Sequence, residues 1–180
     1  LAVALIKQER WEEAIHEFQE AIQSSPSLAE AYVDLGGIYF QQGDLERCIQ
    51  LNQAAIKVRP RFSVPHGNLG FAYLQKGELE AAIESLEKAV AINPQFIQAL
   101  ATLASAYFMQ GRLDESVVTS KKTLQMAPTF AVAHNNLALA YFEKGEFQSA
   151  VFHCDQALNY GYSVDPRFLQ ELEPHRESDK

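Results

Sequence analysis

The sequence is poor in the features that most catalytic and metal chemistries require. Its two cysteines, Cys48 and Cys154, belong to neither a C-x-x-C pair nor a His/Cys cluster of zinc spacing, so no disulfide framework or structural zinc site is implied. Basic residues are scarce, with 15 Lys and Arg against 23 Asp and Glu, giving a formal net charge of −8 and a pI near 5.1. Such a surface repels phosphate backbones and anionic lipid, so nucleic acid is not an expected partner. Hydrophobic residues make up 47% of the chain, enough for a substantial core. Yet no run approaches the roughly 18 to 20 apolar residues of a membrane helix, and no membrane insertion is expected. G-x-S-x-G, G-x-x-x-x-G-K, G-x-G-x-x-G and H-E-x-x-H are all missing, so no catalytic residue, cofactor or metal is expected.

The first residue is Leu1, and the apolar start to Ile6 is too short for a signal-peptide core, which suggests a piece of a longer chain. Without disulfide spacing or N-x-S/T sites the expected compartment is the cytoplasm, with a periplasm as the alternative.

What the sequence does contain is a period. Pro26, Pro60, Pro94 and Pro128 follow one another at intervals of 34 residues. Gly43, Gly77, Gly111 and Gly145 keep the same step, where a residue free to take positive φ turns the chain between two helices. Tyr39, Tyr73, Tyr107 and Tyr141 lie four residues before those glycines, and Leu35, Leu69, Leu103 and Leu137 four before the tyrosines, so both share one helical face. A second stripe begins at Leu45, Leu79, Leu113 and Phe147 and continues through Ile49, Ile83, Val117 and Val151. Trp11 aligns with the start of this stripe and is read as core.

Each unit is therefore a helix, a tight turn and a second helix. First helices are predicted over 29–42, 63–76, 97–110 and 131–144, and second helices over 45–58, 79–92, 113–126 and 147–160. Residues 1–28 form a truncated unit, with the tail of a first helix through about Gln8 and a second helix from Trp11 to Ser24. Full units follow at 29–62, 63–96, 97–130 and 131–162. Asp165 and Pro166 start a capping helix within 163–180, which Pro174 is expected to stop, leaving a frayed tail.

Tyr32-x-x-Leu35-Gly36-x-x-Tyr39, His66-x-x-Leu69-Gly70-x-x-Tyr73, Leu100-x-x-Leu103-Ala104-x-x-Tyr107 and His134-x-x-Leu137-Ala138-x-x-Tyr141 resemble the tetratricopeptide repeat. The resemblance covers nearly the whole chain, and the run from Gly161 to Arg176 is similar to the tails of bacterial members. It implies an all-α fold, a right-handed α-α superhelix of helical hairpins with a C-terminal capping helix. It also implies a concave groove lined by first helices. Asp34 and Phe40 fall there in the first full unit, and Asn68, Phe71 and Leu74 in the second. The third gives Gln98, Thr102, Phe108 and Met109, and the fourth Asn135, Asn136, Leu139 and Phe142.

Phe40, Leu74, Phe108 and Phe142 recur at one position, which gives the groove an apolar strip. Asn68 and Asn136 share another, and an amide both donates to and accepts from a bound backbone. Family members that hold a chaperone's terminal carboxylate use basic residues; Val33, Gln98 and Thr102 stand there instead, so that ligand is not expected. His66 and His134 are read as packing residues, while His16 and His153 are placed on outer faces of second helices.

Cys48 and Ser116 stand where the repeat prefers alanine, Asn52 and Ser120 where it prefers a large apolar residue, and Thr123 where it prefers a small one. The helix at 113–126 is accordingly predicted to be the softest. The expected function is a protein-protein interaction scaffold that captures a protein or peptide segment. The alternatives are self-association through solenoid ends, where Ile15 and Ile22 would be exposed, and the substrate-recognition arm of a larger enzyme such as a glycosyltransferase.

Overall fold

A computed structural model describes residues 10–176, and the predicted helix tail through Gln8 lies outside that range. The described residues form ten helices and no strand: α1 (Trp11–Ser24), α2 (Ala29–Gln41), α3 (Leu45–Val58), α4 (Ser63–Lys76), α5 (Leu79–Ile92), α6 (Ile97–Met109), α7 (Leu113–Met126), α8 (Ala131–Glu143), α9 (Phe147–Asn159) and α10 (Pro166–Arg176). The predicted limits of α1 to α9 hold to within one residue, because the glycine and proline signals mark both ends of each hairpin.

The turns close by one mechanism. Gly43, Gly77, Gly111 and Gly145 have φ between 75° and 78°, a region that residues with a Cβ seldom enter. Each lets the next N–H reach back to a tyrosine carbonyl five residues earlier: Asp44 to Tyr39, Glu78 to Tyr73, Arg112 to Tyr107 and Glu146 to Tyr141, at 2.8 to 2.9 Å. Carbonyls that the helix end would leave unpaired are thereby satisfied.

The chain divides into two compact units, Leu1–Pro94 and Gln95–Lys180. In the first, Phe18, Leu35, Ile38, Tyr39, Ile49 and Leu69 form a core. Trp11 packs against it half-buried, as its place in the stripe suggests. Ile15 and Ile22 correct the expectation of an exposed hairpin: both are half-buried on the same cluster, because α1 lays its apolar face on α2.

Within a hairpin, close approach is set by matched sizes. A Cβ on Gly36 would lie 2.8 Å from the Asn52 amide nitrogen, and one on Gly70 would lie 2.4 Å from the Leu86 Cγ. The equivalent pairs in the second unit are Ala104 with Ser120 and Ala138 with Cys154, all buried. Where the first helix gains a methyl, the second helix carries a smaller side chain. Leu86 is fully buried, which contributes about 1.5 to 3 kcal/mol relative to exposure.

In the second unit, Leu137, Ala138, Tyr141, Cys154, Phe168 and Leu172 form the core. Ser116, Ser120 and Thr123 are fully buried on α7. The Thr123 hydroxyl donates to the Thr119 carbonyl at 3.0 Å, whereas the Ser116 and Ser120 hydroxyls have no hydrogen-bond partner.

Two expectations about this unit are corrected. Pro174 does not stop α10, which runs on to Arg176. Proline in the last turn removes only one backbone bond, and the helix end is held by tertiary contacts. The His175 ring stacks on Phe147 with centroids 3.6 Å apart, and Arg176 pairs with Asp155 at 2.6 Å, so residues 175–176 are anchored rather than frayed. His153 does not sit on an open outer face either. It is half-buried, stacked on Tyr141, with its Nδ1 3.0 Å from the Nδ1 of His134.

His66 and His134 are buried, as read from the repeat. Their Nε2 atoms lie 3.3 Å from the Pro60 carbonyl and 3.0 Å from the Pro128 carbonyl. A carbonyl only accepts, so each Nε2–H donates and each ring ties its first helix to the preceding turn.

Candidate functional site

The predicted groove residues separate into several places. On the first unit, Phe40, Asn68 and Phe71 surround an apolar pocket of about 110 Å³ with Gly37 and Cys48. The pocket is open because a Cβ on Gly37 would meet nothing within 4 Å. The Asn68 amide nitrogen donates to the Asn52 Oδ1 at 3.1 Å, and the Asn52 amide donates to the Cys48 carbonyl at 2.8 Å. This relay ties α4 to α3 beside the pocket and uses one of the two Asn68 amide N–H groups. Burial pushes the Cys48 thiol up to about 11, with the Asn52 hydrogen bond opposing and Asp44 adding to the rise. The thiol is therefore protonated at neutral pH and behaves as part of the apolar wall.

Asp34 lines a different hollow, of about 240 Å³, with Phe18, Leu28 and Glu30. Burial, then the neighbouring Glu30 charge, raises its pKa. Glu30 itself is paired with Arg59, whose hydrogen bond lowers its pKa.

On the second unit, Asn135, Leu139 and Phe142 come together on one face of α8, in a cleft of about 650 Å³. The opposite wall is the α9–α10 connection and α10, including Tyr162, Val164, Asp165, Phe168 and Glu171. Phe142 meets Phe168 edge-on at 5.4 Å and 84°, and it also meets Phe147 and His175 edge-on. It is half-buried, serving as cleft floor and as a seat for the capping helix. Asp165, Pro166 and Phe168 mark the capping helix in the sequence, and the apolar face of that helix is the signal that it also forms a cleft wall.

Asn136 has another place. It is 4% exposed, its amide nitrogen donates to the Ala101 carbonyl at 2.9 Å, and its Oδ1 accepts from the Ser105 hydroxyl at 3.0 Å. Both ends of this amide join α8 to α6, so Asn136 ties the two helices together. Thr102 donates its hydroxyl to the Gln98 carbonyl at 2.9 Å, on a helix where Gln98 is exposed. Phe108 is half-buried against the second core and Met109 is 63% exposed. Leu74 is half-buried on α4. Leu74, Gln98, Thr102, Phe108 and Met109 line neither of the two clefts that gather the other groove residues.

A further hollow of about 600 Å³ on the first unit, bounded by Ile22, Tyr32, Leu35, Tyr39, Arg47 and Leu51, was not anticipated. Its tyrosine and leucine walls belong to the repeat's core stripe. The Arg47 guanidinium sits over the Tyr39 ring at 5.0 Å, a cation–π contact that caps it.

Solved structures share this architecture. The chain superposes on MamA with a TM-score of 0.80 and 24% identity, covering 89% of this chain and 94% of that one. On PilF of Pseudomonas aeruginosa the TM-score is 0.86 at 16% identity, covering 98% and 82%. YrrB, described as a TPR protein with an unusual peptide-binding site, gives a TM-score of 0.77 at 20% identity, covering 96% and 88%. At these identities the likeness is one of fold. No curated protein matches in sequence. Residues 1–163 match the family model of the cilia and flagella-associated protein 70 C-terminal domain, and with its 34-residue helical hairpins the chain belongs to that tetratricopeptide-type family.

Proposed function

We propose that the chain is an interaction scaffold that takes a segment of another protein against its first helices and performs no catalysis of its own. The observation that carries this reading is the gathering of six groove residues into two clefts, Phe40, Asn68 and Phe71 in one and Asn135, Leu139 and Phe142 in the other. Partly buried rings in concave sites are the usual anchors for a partner's apolar side chain. The description of YrrB as having a peptide-binding site is in keeping with this use of the fold. Self-stacking through the first hairpin loses its motive, since Ile15 and Ile22 are already half-buried.

The test is selection from a displayed library of random twelve-residue peptides, run in parallel on the native chain and on a Phe71→Glu, Leu139→Glu double variant. Sequences should be enriched on the native chain and not on the variant. Equal enrichment of the same sequences on both would remove the proposal.

A further inference from the structure

We infer that the cleft between α8 and α10 is the seat of one extended peptide segment in which a large apolar side chain stands between lysines or arginines. The inference rests on the scaffold reading above and names the ligand class of one of its two clefts.

The first observation is an amide without a partner. Asn135 is 8% exposed, it lines the cleft, and its side chain makes no hydrogen bond among the described residues. Its neighbour Asn136, equally buried, has both amide ends engaged. The positions equivalent to Asn135 in the other units hold Val33, Gly67 and Ala101, so packing here has no need of an amide. An amide on the cleft wall with no protein partner is available to a ligand that supplies both a donor and an acceptor. The N–H and C=O of an extended backbone do so.

The second observation is charge. Glu143, Asp165 and Glu171 border the cleft against the single cation Arg167. Asp165 also accepts from the Arg167 N–H at 2.8 Å, so the positive end of α10 is already closed by a carboxylate. A terminal carboxylate or phosphate is thus disfavoured, and basic side chains flanking the segment are favoured. The third is shape. Leu139, Phe142, Val164 and Phe168 give an apolar floor, and about 650 Å³ is ample for one large side chain with its backbone.

The experiment is fluorescence anisotropy of the full chain with three fluorescein-labelled peptides, GSGKLKGSG, GSGELEGSG and GSGKGKGSG. The KLK peptide should bind, with the ELE and KGK peptides at least roughly tenfold weaker. Asn135→Ala and Asn135→Leu should each weaken the KLK peptide about tenfold. The double variant Glu143→Gln, Glu171→Gln should abolish the preference over ELE. Circular dichroism should show both Asn135 variants folded, since the native amide has no protein partner to lose.

No binding of the KLK peptide at millimolar concentration, or equal binding of KLK and KGK, would overturn the inference. So would binding that Asn135→Ala leaves intact and Phe71→Glu removes, an outcome in which the scaffold reading survives and only the cleft assignment fails.

Discussion

Gly70 and Leu86 occupy one space: a β-carbon on the glycine would lie 2.4 Å from the leucine Cγ and 2.7 Å from one of its methyls. Gly70→Ala should therefore destabilise by about 1 to 3 kcal/mol through overpacking. Gly70→Ala with Leu86→Ser recreates the Ala104 and Ser120 pairing found one repeat later, and it should be less destabilised than the sum of the two single changes. Urea unfolding of the four proteins in the cycle measures the coupling. Strict additivity would show that the pair does not set the helix approach.

Ser116 and Ser120 place two unpaired hydroxyls inside α7. Replacing either by alanine removes a desolvated polar group and adds helix propensity, and each change should stabilise by about 1 kcal/mol. Amide hydrogen exchange should find α7 the least protected of α6 to α9 in the native chain, with protection rising in the double alanine variant. Native α7 amides protected as strongly as those of α9 would count against this account.

Asn136→Ala should cost about 1 to 3 kcal/mol, because the two buried bonds that join α8 to the Ala101 carbonyl and the Ser105 hydroxyl of α6 are lost. Asn135→Ala should leave the thermal midpoint within about 2 °C, since no protein hydrogen bond is lost. Differential scanning calorimetry of the two variants separates the adjacent asparagines. Equal losses would mean that Asn135 has a structural role too.

Burial lowers the His153 pKa to about 4, with His134 and then Lys121 adding to the effect. The unfolded ring titrates near 6.5, so between those values the unfolded chain binds more protons. Stability from the neutral ring is fully present above about pH 6.5 and is lost as pH falls toward 4. The geometry agrees, since His134 Nε2–H donates to Pro128 and its Nδ1 can then only accept from His153. His153→Gln retains a donor without the titrating ring, and its melting temperature should fall less over that interval. Parallel curves for the two proteins would contradict the assignment.

The helices were legible because each signal is local: a glycine with left-handed φ, a proline at the exit, and leucine and tyrosine four residues apart. Side-chain roles were less so. Asn135 and Asn136 are chemically identical and adjacent, yet about 100° of helical rotation sends one to a cleft and the other to α6. No single-sequence pattern distinguishes them. The burial of His153 is hidden from the sequence for a similar reason: its partner, His134, sits on another helix 19 residues away. Phe142 faces the groove by its repeat position, and the capping helix that also rests on it has no counterpart inside the repeat.

The contact of His175 with Phe147 gives the last turn of α10 a weight that its length conceals. A chain clipped after Glu173 would lose that ring and the Arg176 pairing with Asp155 in one cut, baring an aromatic surface at the rim of the last hairpin. Cleavage at that point would then turn a sealed edge into an adhesive one, and clumping rather than simple loosening would be the first symptom.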